Sequence, residues 1–258
     1  MPIDTNVLET VRPSRRSVVR GAAWSVPVVS VAATAPAFAT SLCQDGNYQI
    51  RWASDYNATS RVATANRIST SGSGATGSAP LTLTVTSKFN GTMAAGSTGS
   101  YSNLATSPGN VGGLGVRGLT IMQRSTQTAL ATPRANQNQV VTLTFNRPVW
   151  NLKFTLTDID SQLGQYQDRV YVSGAPAFTL ASQVGGSGTS GSPWAPTGTN
   201  ITQDPVTGGG GNVAVDYTNK PAASVYTLTY WNNQSGNLSG NGLQGVFIST
   251  MTFSSETC

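Results

Sequence analysis

The chain has 258 residues, of which 28 are Gly and 13 are Pro; only 10% are charged, none is His, and the formal net charge is +5. Such a composition disfavours helices and suits short strands joined by turns. The absence of histidine excludes Ser-His-Asp and Cys-His nucleophile systems, His-liganded zinc and the commonest general base near neutral pH.

The first element is a targeting segment. Ser14-Arg15-Arg16-Ser17-Val18-Val19-Arg20 carries the charge, residues 21 to 35 form a mild apolar run, and Ala37-Phe38-Ala39 reads as a small-x-small cleavage site. This predicts a signal peptide over residues 1–39 and a mature chain beginning at Thr40. Paired Arg15 and Arg16 ahead of a weakly hydrophobic, Ala-rich run that contains Pro27 resemble a twin-arginine signal. The resemblance implies folding before export, the twin-arginine machinery and a signal peptidase as transient partners, and a secreted or loosely cell-surface-associated product. The apolar run is too short and too diluted for a membrane span, and none is expected in the mature chain.

Removing the leader takes away Arg12, Arg15, Arg16 and Arg20 together with Asp4 and Glu9, leaving eleven basic against eight acidic residues, a net charge of +3. The remaining basic residues are scattered singly between Arg51 and Lys220. Phosphate tracking needs them clustered on one face, so no nucleic-acid partner is expected. Two cysteines stand near the ends of the mature chain, Cys43 and Cys258. In an exported protein such a pair predicts a disulfide, worth about 5 kcal/mol in the chain-entropy account of so long a loop. It would make the first and last strands neighbours.

Strand patterns follow at 48–53, 81–87, 118–123, 140–146, 150–158, 169–173, 213–217, 224–231 and 245–253. In Leu81-Thr-Leu83-Thr-Val85-Thr and Val141-Thr-Leu143-Thr-Phe145 the apolar residues fall on one face and threonines on the other. Each such strand packs on a core on one side and meets water on the other. The fold class expected is therefore all-β: an antiparallel two-sheet β-sandwich, jelly-roll-like, with long Gly/Ser-rich loops, in a single domain over residues 40–258. Asn146-Arg147-Pro148 is the strongest hairpin candidate, because proline pre-sets the backbone of a turn. The Gly/Ser/Thr-rich stretches at 71–78, 94–113 and 185–211 read as loops of that domain. Residues 72–77, 113–118 and 186–191 match G-x-G-x-x-G, but none follows a strand and opens a helix, the context in which that pattern binds a pyrophosphate.

The segment Phe154-Thr-Leu-Thr-Asp158-Ile-Asp160 raises the main functional question. Leu152, Phe154 and Leu156 alternate as a half-buried strand, and the same phase runs on into Asp158 and Asp160; Asp168 arrives just before the next strand. Carboxylates at a strand end can accept hydrogen bonds from loop amides or pair with Arg169, a purely structural role. They can also form a calcium site, since hard cations take six to eight oxygens and inward-facing like charges need neutralising. A glycosidase pair is the third reading, although both carboxylates would lie on one side of a ligand. Trp194, in the Pro-flanked loop Ser192-Pro193-Trp194-Ala195-Pro196, is the aromatic residue expected to be exposed and to stack on a ligand. Trp52, Trp150 and Trp231 read as packing residues.

The pieces SRRSVVRGAAWSVPV, TLTFNRPVWNLKFTLTDID, QDRVYV and LQGVFISTMTFS together resemble a loosely defined group of exported β-sandwich proteins from high-GC Gram-positive bacteria. The central pattern F-x-x-P-V-x-N-L-x-F-x-x-x-D-I-D is also similar to modules of bacterial surface proteins. What the resemblance implies is an extracellular jelly-roll-like domain; it carries over no catalytic residue, and Phe145, Pro148, Val149, Asn151, Leu152, Phe154, Asp158, Ile159 and Asp160 match as structure only. The expected function is that of a secreted or cell-surface non-enzymatic module that binds a glycan or a protein partner and holds a structural calcium ion at Asp158, Asp160 and Asp168. A structural envelope or matrix protein and a carbohydrate-active hydrolase using the aspartates are the alternatives.

Overall fold

The computed structural model describes residues 44–68, 79–130 and 136–257. The leader, Cys43, Cys258 and the 71–78 stretch lie outside the described residues, which all fall in one compact unit, Cys43–Cys258. Within it we number the strands of four residues or more: β1 (Gln44–Ile50), β2 (Thr82–Phe89), β3 (Thr106–Asn110), β4 (Arg117–Ser125), β5 (Asn138–Thr157), β6 (Tyr166–Val172), β7 (Ala177–Leu180), β8 (Val213–Asp216), β9 (Ala223–Asn232), β10 (Gln244–Ile248) and β11 (Met251–Thr257). The described residues contain one short 3-10 turn, Ser239–Gly242. No helix among them is long and apolar enough to cross a membrane.

All strand pairings are antiparallel, and they build a sandwich-like all-β fold around β5. The first half of β5 lies between β2 and β9, with Leu143 opposite Val85 on one side and Tyr226 on the other. Strand β6 extends this layer beyond β9. The second half of β5 belongs to the other layer, paired with β8 and β11, and β1 lies on the far side of β11. At its end, Leu156 and Thr157 pair with Ile248 and Phe247 of β10, which leads on to β4. A strand that changes sheets through a bulge is the usual way to turn a corner between stacked layers.

The expected hairpin at Asn146-Arg147-Pro148 is therefore replaced by one continuous 20-residue strand. Its pairing with β9 slips between Thr144 and Val149, where the missing N–H of Pro148 costs no ladder hydrogen bond. Asn146 fastens the bend instead: its side chain accepts from the Thr82 N–H at 3.0 Å and donates to the Pro80 carbonyl at 2.9 Å.

Alternation sets the core as the sequence predicts. Leu81, Leu83 and Val85, then Val141, Leu143 and Phe145, then Leu152, Phe154 and Leu156 are all buried, and they share one apolar cluster with Ile50, Val246 and Phe253. Aromatic rings fill the space under the bend: Phe145 meets Phe253 edge-on at 4.9 Å, and Tyr217 meets Tyr226 at the same distance. Strands β1 and β11 pair along their whole lengths, from Ile50 opposite Met251 to Gln44 opposite Thr257. First and last strands are neighbours, as the cysteine positions imply.

Candidate functional site

The aspartate segment begins where β5 stops. Thr157 is the last paired residue, and Asp158 takes a left-handed backbone, φ 69°. Aspartate tolerates that conformation because its short polar side chain can bond locally. The turn ends the two-residue period that the sequence projected onward. Ile159, not Asp158, enters the core, held by its N–H to the Gly211 carbonyl at 3.1 Å. A Cβ on Gly211 would lie 2.8 Å from the Ile159 carbonyl oxygen, so only glycine allows this approach.

Asp160 and Asp168 clasp one another across the intervening loop. The Asp160 N–H donates to Asp168 Oδ2 at 3.0 Å, and the Asp168 N–H returns a bond to the Asp160 carbonyl at 3.1 Å. Asp168 is wholly buried, and Tyr230 donates its hydroxyl to Oδ1 at 2.7 Å. With the Gln244 amide turned so that its nitrogen faces Asp168, it donates to Oδ1 at 3.2 Å while its oxygen accepts from Gln123 Nε2 at 2.7 Å and the Asn232 N–H at 3.0 Å. One carboxylate thereby ties β6, β9 and β10 together and reaches β4 through Gln123. Arg169 is not its partner: Nη1 donates to the Asp168 main-chain carbonyl at 2.8 Å. Asp160, 3% exposed, accepts from the Gln203 N–H at 2.8 Å and the Tyr166 hydroxyl at 3.3 Å, both on Oδ2.

These bonds realise the structural role open to strand-end carboxylates, acceptance of hydrogen bonds from nearby amides and hydroxyls. Among the described residues, no group of three or more His, Cys, Asp or Glu side chains is placed to hold a metal ion. Asp168 lies behind the site, with both oxygens engaged by donors.

Asp158 and Asp160 do border a cleft of about 290 Å³. Tyr101, Tyr166 and Phe247 line it with them, as do Gln162, Gln165 and Gln203. Tyr101 and Phe247 stand 5.7 Å apart at a tilt of 57°. Among the described residues no Lys or Arg lines the cleft. Burial pushes the Asp158 carboxyl well above the usual range, and the nearby Asp160 and Asp204 carboxylates add to the shift. Burial likewise raises Asp160, to about 6, against the pull of the Gln203 and Tyr166 donors. Asp168 is raised by burial and then by Asp160, while the bonds from Asp160 and Tyr230 act the other way. The Tyr166 hydroxyl is raised by burial and by the surrounding carboxylates, so it stays a donor.

Trp194 does not offer the exposed ring expected of it. The residue is 0% exposed, packed edge-on against Phe178 at 5.5 Å and fixed by two main-chain bonds to Val170. The loop before it closes over the indole: a Cβ on Gly188 would lie 2.4 Å from the ring. A Pro-flanked tryptophan with no apolar strand around it looks exposed in sequence because its partners, Val170 and Phe178, are distant in the chain. The aromatic residues that do face a cleft, Tyr101, Tyr166 and Phe247, come from three separate segments, and no local spacing connects them. Trp52 is buried as expected, its Nε1 donating to the Ser249 carbonyl at 2.8 Å, and Trp231 is 5% exposed. Searches of protein-family models, curated proteins and solved structures give no match to this chain.

Proposed function

We propose that the protein is an exported, non-enzymatic binding module whose cleft beside Asp158 and Asp160 takes a glycan. One observation carries this reading: a single open cleft sets aromatic rings (Tyr101, Tyr166, Phe247) beside carboxylates and side-chain amides (Gln162, Gln165, Gln203). Pyranose rings present apolar C–H faces and a belt of hydroxyls, so they need both kinds of surface at once. The volume lies at the lower end of small-ligand sites and fits one or two sugar units. Catalysis by paired carboxylates needs an acid and a base flanking the scissile bond. Here Asp158 and Asp160 are two residues apart, and the other lining groups are amides, hydroxyls, aromatics and apolar side chains.

Calcium has a narrower basis than three aspartates would give it. Two carboxylates at the cleft fall short of the six to eight oxygens a calcium ion takes, and the protein's own donors occupy Asp168. Export by the twin-arginine route and a Cys43–Cys258 disulfide complete the proposal. The last described pair of the β1–β11 ladder is Gln44 opposite Thr257, and one further step in each direction reaches the two cysteines. Either kind of antiparallel pair has a Cα spacing that a disulfide can bridge. Absence of titratable thiols in the denatured, unreduced mature protein tests that bond.

The binding reading is tested with the mature protein on a glycan array, followed by calorimetry on the hits. Replacing Tyr101 by Ala should weaken binding about tenfold or more, in line with about 1.5 kcal/mol for a ring contact, with the melting temperature retained. No binding to any glycan, or full binding by Tyr101→Ala, would overturn it.

A further inference from the structure

The cleft is acidic in a chain whose mature net charge is positive. Asp158 and Asp160 line it, and among the described residues no basic side chain does. Asp204 sits beside the lining residues Gln203 and Pro205, its Oδ1 accepting from the Val206 and Thr207 N–H groups, each at 2.8 Å. It is near enough to disfavour ionisation of both Asp158 and Tyr101.

The three carboxylates are not equivalent. Asp160 accepts from Gln203 and Tyr166, and Asp204 accepts within its own turn. Asp158 alone has a side-chain oxygen, Oδ1, that is closed to solvent and has no hydrogen-bond partner. An acceptor buried without a donor is costly, and a carboxylate in that position costs more than a neutral group. The arrangement lacks a donor for that oxygen, and a cation entering the cleft that Asp158 lines would supply one.

Resting on the glycan reading above, we infer that the ligand class is an amine-bearing glycan, a sugar whose free ammonium group pairs with Asp158 at the cleft wall while its ring lies against Tyr101 and Phe247. An ammonium brings three donors and no acceptor, which matches a wall made of carboxylates. An N-acetylated sugar brings one amide N–H together with a carbonyl that would face Asp158 and Asp160 unfavourably.

The experiment compares a glucosamine tetramer with its fully N-acetylated counterpart by calorimetry at about pH 6. The free amine should bind at least about tenfold more tightly and lose much of its advantage at high salt. Asp158→Asn should bring the two ligands to within about twofold while the protein keeps its fold, because asparagine accepts the left-handed backbone at this position. Equal or tighter binding of the acetylated tetramer would overturn the inference and leave the glycan reading standing. Binding of tetralysine as tight as that of the glucosamine tetramer would overturn the assignment to a sugar. Failure of both tetramers and of every array glycan would remove the glycan reading itself.

Discussion

The two ends of the second half of β5 lie in very different interiors. Around the bend, Phe145, Phe253, Tyr217 and Tyr226 fill space edge to face, and the one polar group among the rings that meets β5, the Tyr226 hydroxyl, donates to the Val149 carbonyl at 3.1 Å. Beyond Thr157 the interior is polar: Asp160, Ser161, Asp168, Gln123, Asn232 and Gln244 are all buried. The first region is held by volume and the second by hydrogen bonds that meet on Asp160 and Asp168, with Asp158 Oδ1 and Gln123 Oε1 left without a partner. An apolar core loses stability in proportion to the cavity opened, whereas a buried network loses it according to how many donors or acceptors are left alone.

The contrast is broken most severely at Asp168. Asp168→Ala leaves the Tyr230 hydroxyl, the Asp160 N–H and the Gln244 amide without their acceptor, and a loss of about 4 kcal/mol or more is expected in chemical denaturation. Asp168→Asn, which keeps one acceptor oxygen, should recover about half of that. On the apolar side, Phe145→Ala should cost about 3 kcal/mol, and Phe145→Leu less than half as much, because partial refilling of space is enough there. A similar partial rescue from Asp168→Leu would show that the polar region is also governed by volume.

Acidity sharpens the comparison further. Asp160 stands near pKa 6 in the folded chain against an ordinary 3.8, chiefly through burial, and Asp158 and Asp168 shift the same way. Between those values the folded state binds protons that the unfolded chain has released. The stability this contributes is present below about pH 4 and is lost as pH rises through 6. Asp160 alone should account for a fall of about 1.4 kcal/mol between pH 5 and pH 8, and Asp160→Asn should remove that share. The smallest effect belongs to Trp194→Phe. The indole N–H is buried without a partner, so its loss offsets part of the lost packing; about 1 kcal/mol or less is expected, with glycan binding unchanged.

The apolar region was legible in the sequence and the polar one only in outline. Alternation in Leu81–Val85, Val141–Phe145 and Leu152–Leu156 is local information, and it placed these residues in the core. Pro148 carried an ambiguous signal, since proline suits both a turn and a bulge; the choice was made by β9 and β11, which pair with β5 on either side of the bend. Asp158 and Asp160 were visible as an anomaly at a strand end. The positive φ at Asp158 could not be read from a period of two; Gln203 reaches Asp160 from 43 positions away, and Tyr230 and Gln244 reach Asp168 from 62 and 76. Donors supplied over such distances leave no spacing pattern.

The central claim is that the protein's own hydrogen-bond donors suffice to hold the buried Asp160 and Asp168 carboxylates. Thermal melting of the mature protein with millimolar calcium and with excess chelator tests it most directly. Superimposable transitions are predicted; a rise of several degrees with calcium, abolished by chelator and absent in Asp160→Asn, would contradict the claim.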